Sequence, residues 1–283
     1  MILVTGATGT VGSEAVRLLS ARHQPARALG RDPSRVAHRA DLADEIEIVT
    51  GDFDHPGTLD AALAGVDTVI LVSPAVPAQE IAVIDSAVRN GVTHVVKITS
   101  KASADSPVDR RRGQARIEAH LAATGLPHTL LRSNAYLQNL LALAPAVRQT
   151  RGFTMSAGDG QVGMIDARDV AAVATRIAVA PAAHAGRTYR LTGPDLITYA
   201  DVAKELSATL GHDVEYRRIS PDEHRAVMIG AGVPEPVATS NAQAFGLIAE
   251  GDAAWLTGEV ATLTGTAPRG LHSFLAEHAA AFA

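Results

Sequence analysis

Three glycines, Gly6, Gly9 and Gly12, recur at every third position in the run Gly6-Ala7-Thr8-Gly9-Thr10-Val11-Gly12, directly after the apolar residues Ile2-Leu3-Val4. A strand that ends in such a turn and opens a helix gathers unpaired amides and the positive end of the helix dipole at one point, which is the chemistry of phosphate binding. Each glycine has its own task in a dinucleotide turn. Gly6 permits the bend, Gly9 lets a pyrophosphate approach the backbone, and Gly12 lets the helix lie close on the strand. Thr8 and Thr10 add hydroxyl donors, and Val11 shares the first helical turn.

Roughly twenty residues beyond the glycines, where a ribose 2′ position is read, the chain runs Ala28-Leu29-Gly30-Arg31-Asp32-Pro33. An acidic residue at that strand tip would accept hydrogen bonds from the ribose hydroxyls of NAD. A guanidinium instead pairs with a 2′-phosphate and stacks on adenine, so Arg31 points to NADP(H), unless it serves only as an exposed loop partner of Asp32. Asp52 and Phe53 follow the third apolar run; Asp52 suits either the adenine amino group or a helix cap ahead of Pro56. Ser73 and Pro74 follow the fourth run and are expected along the ribose side, because ligands of such sheets lie beyond the carboxyl ends of the strands.

The elements that must position these residues read as a repeated strand-and-helix unit, which predicts a Rossmann-type doubly wound parallel α/β sheet. Apolar runs at 2–5, 26–30, 46–50, 67–72, 94–99 and 128–132 are the strands. Pro77 opens a helix whose stripe is Ile81, Ile84 and Val88, closed by Gly91; Ile117 and Leu121 mark another, stopped by Gly125 and Pro127. The alternation weakens after Thr150. This divides the chain into a cofactor domain, 1–152, and a smaller, mostly helical substrate lobe, 153–283, with segments returning to the core. In the second part the pattern predicts a helix opened by Asp169, strands at 187–191 and 214–219, and a helix over 199–210 ending at Gly211.

Composition narrows the function classes. Hydrophobic residues make up 47% of the 283 and charged ones 19%, a balance of globular proteins. Twenty-five Lys and Arg against thirty Asp and Glu, a formal charge of −5, argue against nucleic acid as a partner. The absence of Cys removes disulfides and thiolate chemistry. The eleven His form no HxH or HExxH pair, so no metal is expected. Met1 leads straight into the first strand and no apolar run approaches a membrane span, so the expectation is a cytoplasmic protein without membrane contact, with oligomerisation left open.

The glycine turn, Arg31-Asp32-Pro33 and Leu131-Arg132-Ser133-Asn134-Ala135-Tyr136 together resemble the NmrA-like atypical short-chain dehydrogenases. Within them, Ile165-Asp166-Ala167-Arg168-Asp169-Val170 and Gly232-Val233-Pro234-Glu235-Pro236 are similar to members of the NADPH-dependent quinone oxidoreductase and triphenylmethane reductase type. The chain departs from the family's pattern at Ser133, where proline is common, and at Gln114, where many relatives carry a histidine. The resemblance implies contacts to nicotinamide or substrate from Asn134, Tyr136, Gln138 and Asn139, and a substrate pocket beside the Gly232–Pro236 hinge. Thr99 and Ser100 are expected at the nicotinamide ribose, with Lys101 as the cation able to steady developing negative charge. Asp166 and Asp169 read as caps and anchors.

Many short-chain dehydrogenases use Tyr-x-x-x-Lys, in which lysine lowers the tyrosine pKa for proton transfer. None of Tyr136, Tyr189, Tyr199 and Tyr216 has a lysine four positions on, and Tyr199 and Lys204 stand five apart. A simple ketone would leave an alkoxide needing an acid. Hydride addition to a quinone, azo compound or triarylmethane cation gives a delocalised or neutral product instead. The expectation is therefore an NADPH-dependent reductase of an aromatic or quinone-like small molecule, with Lys101 and Tyr136 as catalytic candidates. The competing reading is a non-catalytic NADP-binding redox sensor of the NmrA type. The run Arg110-Arg111-Arg112 could attract an anion or stand as a solvated loop, and it receives no role at this stage.

Overall fold

In β1 (Ile2–Val4), Ile2 and Val4 point to one side and Leu3 to the other, and all three are buried. A strand covered on both faces belongs inside a parallel sheet flanked by helices. The computed structural model, which describes residues 1–37 and 42–283, has that sheet. Its other strands are β2 (Ala26–Gly30), β3 (Ile46–Thr50), β4 (Thr68–Leu71), β5 (His94–Thr99), β6 (His128–Ser133) and β8 (Thr188–Leu191). They are ordered β3-β2-β1-β4-β5-β6-β8, all parallel, with Ile2 opposite Ala26 on one side and Thr68 on the other. A separate parallel pair is formed by β7 (Gly152–Met155) and β9 (Glu215–Arg218).

Helices α1 (Thr10–Ser20) and α7 (Ala167–Val179) cover one face of the large sheet, meeting Val4, Ile70, Val96 and Leu131 through Val11, Val16, Val170 and Ile177. On the opposite face α3 (Pro56–Leu63), α4 (Pro77–Arg89) and α5 (Asp109–Ala123) meet Leu3, Leu29, Val69 and Val95. The short α2 (Pro33–Ala37) follows β2. A third core is built from α6 (Ala144–Thr150), the β7/β9 pair, α8 (Tyr199–Leu210), α10 (Glu235–Ala249), α12 (Leu271–Glu277) and α13 (Ala279–Phe282). There Phe153 stacks on Tyr216 with centroids 5.5 Å apart, and Phe274 and Phe282 are fully buried. α9 (Pro221–Gly230) and α11 (Glu259–Thr264) complete the chain. Among the described residues no helix is long and apolar enough to cross a membrane.

The doubly wound α/β sheet is thus present, and β2, β3, β5 and α8 have the predicted bounds. The strand at 188–191 pairs with β6 and becomes the sheet's edge, a segment of the second part that returns to the core. Two expectations are corrected. α7 opens at Ala167 rather than Asp169, because the Asp166 carboxylate accepts the Arg168 amide and caps it. α4 buries Val83, Ile84, Ala87 and Glu80, while Val88 faces solvent at 44% exposure.

The chain leaves β1 for β2 and β3 on one side and crosses to β4, β5 and β6 on the other, so a crevice opens beyond the carboxyl ends of β1 and β4. Thr5 holds that point together, its hydroxyl oxygen accepting the Val72 amide at 2.8 Å. Gly6 takes φ +57°, a conformation open to glycine at little cost. A Cβ on Gly12 would lie 2.2 Å from the Gly6 carbonyl oxygen. Gly12→Ala is therefore expected to force α1 off β1 and to cost roughly 1–3 kcal/mol of stability, read as a shift in the urea unfolding midpoint; an unchanged midpoint would show that the helix start can yield.

Candidate active site

A cleft of about 870 Å3 crosses the carboxyl ends of the central strands, within the range of cofactor and small-molecule sites. Its floor is the glycine turn. Gly6, Thr8, Gly9, Thr10 and Val11 line it; Gly12 does not, because it is spent on the contact between helix and strand. Gly9 is the N-cap of α1 and supplies no capping side chain, and the first helical turn holds no acidic residue. The leading amides of α1 are thus left to an anion.

At the β2/β3 end, Arg31, Asp52 and Phe53 line the cleft beside Leu29 and Gly51. Among the described residues Arg31 makes no hydrogen bond or ion pair. Asp32, its suggested partner, instead accepts the Ser34 amide and hydroxyl at 3.0 and 2.7 Å, which hold its carboxyl below the usual range. The Asp52 carboxylate accepts the Asp54 amide at 3.1 Å, the main cause of its lowered pKa, and lies 3.2 Å from His55 Nδ1. It thus organises the loop before α3 while still facing the cleft.

Ser73 and Pro74 line the middle. Ser73 donates to Glu80 Oε1 at 2.6 Å and accepts the Ala75 amide, fixing a turn in which Ala75 adopts φ +65°. Behind it lies an ion pair that the sequence reading missed: Lys97 Nζ sits 2.8 Å from Glu80 Oε2, with both side chains essentially without solvent. Burial pushes the lysine pKa down, and the adjoining Glu80 charge opposes the shift. Removing one member of such a pair strands the other, so the Ser73 turn rests on a rigid base.

Beyond β5 and β6 the cleft is lined by Thr99, Ser100, Lys101, Asn134, Tyr136 and Asn139. Thr99 Oγ1 is bonded to Gln114 at 3.0 Å and to Glu118 at 2.9 Å, and Glu118 also pairs with Arg132. Gln114, at the departure from the family pattern, also faces the cleft. The Tyr136 hydroxyl lies 3.1 Å from Ser133 Oγ, and burial raises its pKa against that hydrogen bond. It is a neutral donor rather than an activated one. Gln138 is not among the residues that line the cleft; its side chain bonds to Asp166 and to the Ala167 amide.

The far wall was not legible beforehand. Ala244 and Ile248 of α10, followed by Asp252, Ala253 and Trp255, also line the cleft. The Gly232–Pro236 turn does not reach it and is mostly solvent-exposed. Asp252 pairs with Lys101 through one oxygen and with Arg111 through the other, the latter at 2.6 Å. Burial alone would raise its carboxyl pKa, but these hydrogen bonds outweigh it and hold it down. Lys101 is therefore half of a bridge from the end of β5 to the loop after α10, not a free cation. Asn134 adds a second tie, donating to the Ala253 carbonyl at 3.0 Å. Asp166 and Asp169 are buried anchors: Asp166 pairs with Arg168, which also meets Glu277 at 2.8 Å, and Asp169 pairs with Arg269.

Comparison with known proteins agrees with this architecture. A family model described as the NmrA-like family matches residues 1–262. An NAD(P)H azoreductase of Xenophilus azovorans is 38% identical over 286 residues, spanning 100% of this chain and 99% of the relative. The (4-alkanoyl-5-oxo-2,5-dihydrofuran-3-yl)methyl phosphate reductase of Streptomyces griseus subsp. griseus is 37% identical over 290 residues, at 100% and 99% coverage. The crystal structure of the NADPH-dependent quinone oxidoreductase QOR2 of Escherichia coli complexed with NADPH aligns at TM-score 0.89, with 28% identity, over 98% of this chain and 99% of that one. A cleft built on a glycine turn at the sheet's switch point and a match to the family over nearly the whole length lead to one conclusion: the chain belongs to the NmrA-like family.

Proposed function

We propose that the protein is an NADPH-dependent reductase that transfers hydride to a conjugated acceptor of quinone or azo type. The observation that carries this reading is a single continuous cleft. It holds an anion seat at α1, the Arg31 guanidinium, which has no hydrogen bond or ion pair among the described residues, and an apolar and aromatic lining that includes Tyr136, Ile248, Ala253 and Trp255. The first two features suit the diphosphate and 2′-phosphate of NADPH, and a Cβ on Gly9 would lie 3.2 Å from the Gly6 carbonyl oxygen and narrow the cradle. When bound, the nicotinamide supplies a hydride. The acceptors named for the azoreductase, the quinone oxidoreductase and the dihydrofuran phosphate reductase are all conjugated, which supports the same class here.

The residues of this chain bind, align and exclude water rather than drive proton transfer. Tyr136 is neutral and bonded to Ser133, and Lys101 is held by Asp252. Hydride delivery to one quinone oxygen would leave the hydroquinone monoanion, its charge delocalised over the ring, and one proton from water, released as hydroxide, completes the hydroquinone. Alignment in a dry, shaped cleft is the contribution such a reaction needs.

Purified protein mixed with NADPH and a panel of quinones and azo dyes is expected to bleach the nicotinamide absorbance with at least one acceptor. No turnover across the panel, with NADP bound tightly, would instead assign the protein as a redox sensor. Arg31→Asp is expected to weaken NADPH binding by roughly tenfold or more, as for a lost charged hydrogen bond, and to leave NADH binding less affected; equal losses by calorimetry would refute the 2′-phosphate role. Tyr136→Phe is expected to lower kcat with a quinone by less than the roughly 10²–10⁴-fold of a general acid. A larger fall, with a pH profile that loses its basic limb, would make Tyr136 the proton donor.

A further inference from the structure

The three arginines at the start of α5 have separate fates. Arg111 is bound by Asp252, and Arg112 donates to the carbonyls of Ser106 and Pro107 at 2.6 and 2.9 Å and to Asp109 at 2.5 Å. Arg110, among the described residues, has no hydrogen bond and no ion pair. It also occupies a particular place. Arg110 lines the main cleft and, at the same time, a neighbouring groove of about 620 Å3 between the start of α4 and α5, walled by Val76, Pro77, Gly113 and Arg116. Arg110 thus borders both spaces.

The charge balance at this junction is one-sided. Lys101, Arg110 and Arg111 face the main cleft with Asp252 as the acidic partner, and Arg110, Arg112 and Arg116 face the groove with Asp109. Although Arg110 as a residue is exposed, crowding by protein, followed by repulsion from Arg111, lowers its pKa, and a guanidinium still remains charged. It is a cation with no counter-ion among the described residues. The anionic groups of the dinucleotide already have seats at α1 and Arg31.

We infer that Arg110 binds an anionic oxo-acid substituent of the hydride acceptor, a sulfonate, carboxylate or phosphate ester, whose conjugated part lies in the main cleft and whose charged part is directed to the groove beside α5. The planar fork of arginine suits such groups in a bidentate way. This inference rests on the reductase reading above.

The test compares 1,4-naphthoquinone with its 2-sulfonate in the wild type, Arg110→Gln and Arg110→Lys. The readout is the ratio of kcat/KM for the sulfonated acceptor to that for the unsubstituted one. Comparing this ratio between proteins cancels the effect of the sulfonate on the acceptor's own reduction potential. Arg110→Gln is expected to lower the ratio about tenfold or more, the loss of a charged hydrogen bond, and Arg110→Lys to restore much of it. A ratio that does not move overturns the inference, and so does a loss confined to NADPH affinity, which would give Arg110 to the cofactor. If neither quinone is reduced, the reductase reading fails separately. Trp255, the chain's one tryptophan and part of the cleft wall, then reports binding of naphthalene-2-sulfonate to the NADP-loaded protein. Weaker quenching titration in Arg110→Gln upholds the anion site, and equal titrations in both proteins overturn it.

Discussion

The contact between the start of α1 and the turn that leaves β1 is the constraint on which the rest of the site depends. Only a glycine at position 12 lets the helix settle against the Gly6 carbonyl, and only that approach brings the uncapped amides of the first turn to the mouth of the sheet. The Thr5 bond to Val72 then locks β1 to β4 at the point where the strand order reverses. An anion seat of this kind is a property of backbone geometry more than of any side chain, which is why three small residues can carry its signal in a sequence.

A second constraint runs across the cleft. Asp252 joins Lys101 and Arg111, and Asn134 meets the Ala253 carbonyl, so the loop after α10 is held to the ends of β5, β6 and α5. These ties set the width of the cleft near Tyr136 and Trp255. They also spend the charge of Lys101 on architecture, pairing it with Asp252. Beneath the adjoining turn, the Lys97–Glu80 pair and its bond to Ser73 give the floor a stiffness that a solvated loop would lack.

Much of this was legible locally. The glycine turn, the strands and α8 each carry their signal within a few residues; α8 has a reciprocal Thr198–Asp201 box at one end and Gly211 in the left-handed region at the other. What escaped the sequence was decided by partners far along the chain. Lys101 looked free because Asp252 lies 151 residues away. A stripe of Ile81, Ile84 and Val88 fits helical spacing, but the buried face of α4 is the one that carries Glu80, whose partner Lys97 sits between the apolar Val96 and Ile98 of β5. Gly232–Pro236 matched a family pattern yet faces solvent, whereas Asp252–Trp255, which forms the wall, has no local pattern at all.

The return of β8 to the large sheet has a consequence for how the molecule is made. β6 ends at Ser133, but the strand that pairs with its outer side ends at Leu191, so on the ribosome β6 stays an open edge while more than fifty further residues are translated. An uncovered parallel edge is a template for wrong pairing. The outer side of β6 therefore stays open to wrong pairing until its partner, the last strand of the large sheet, has been made.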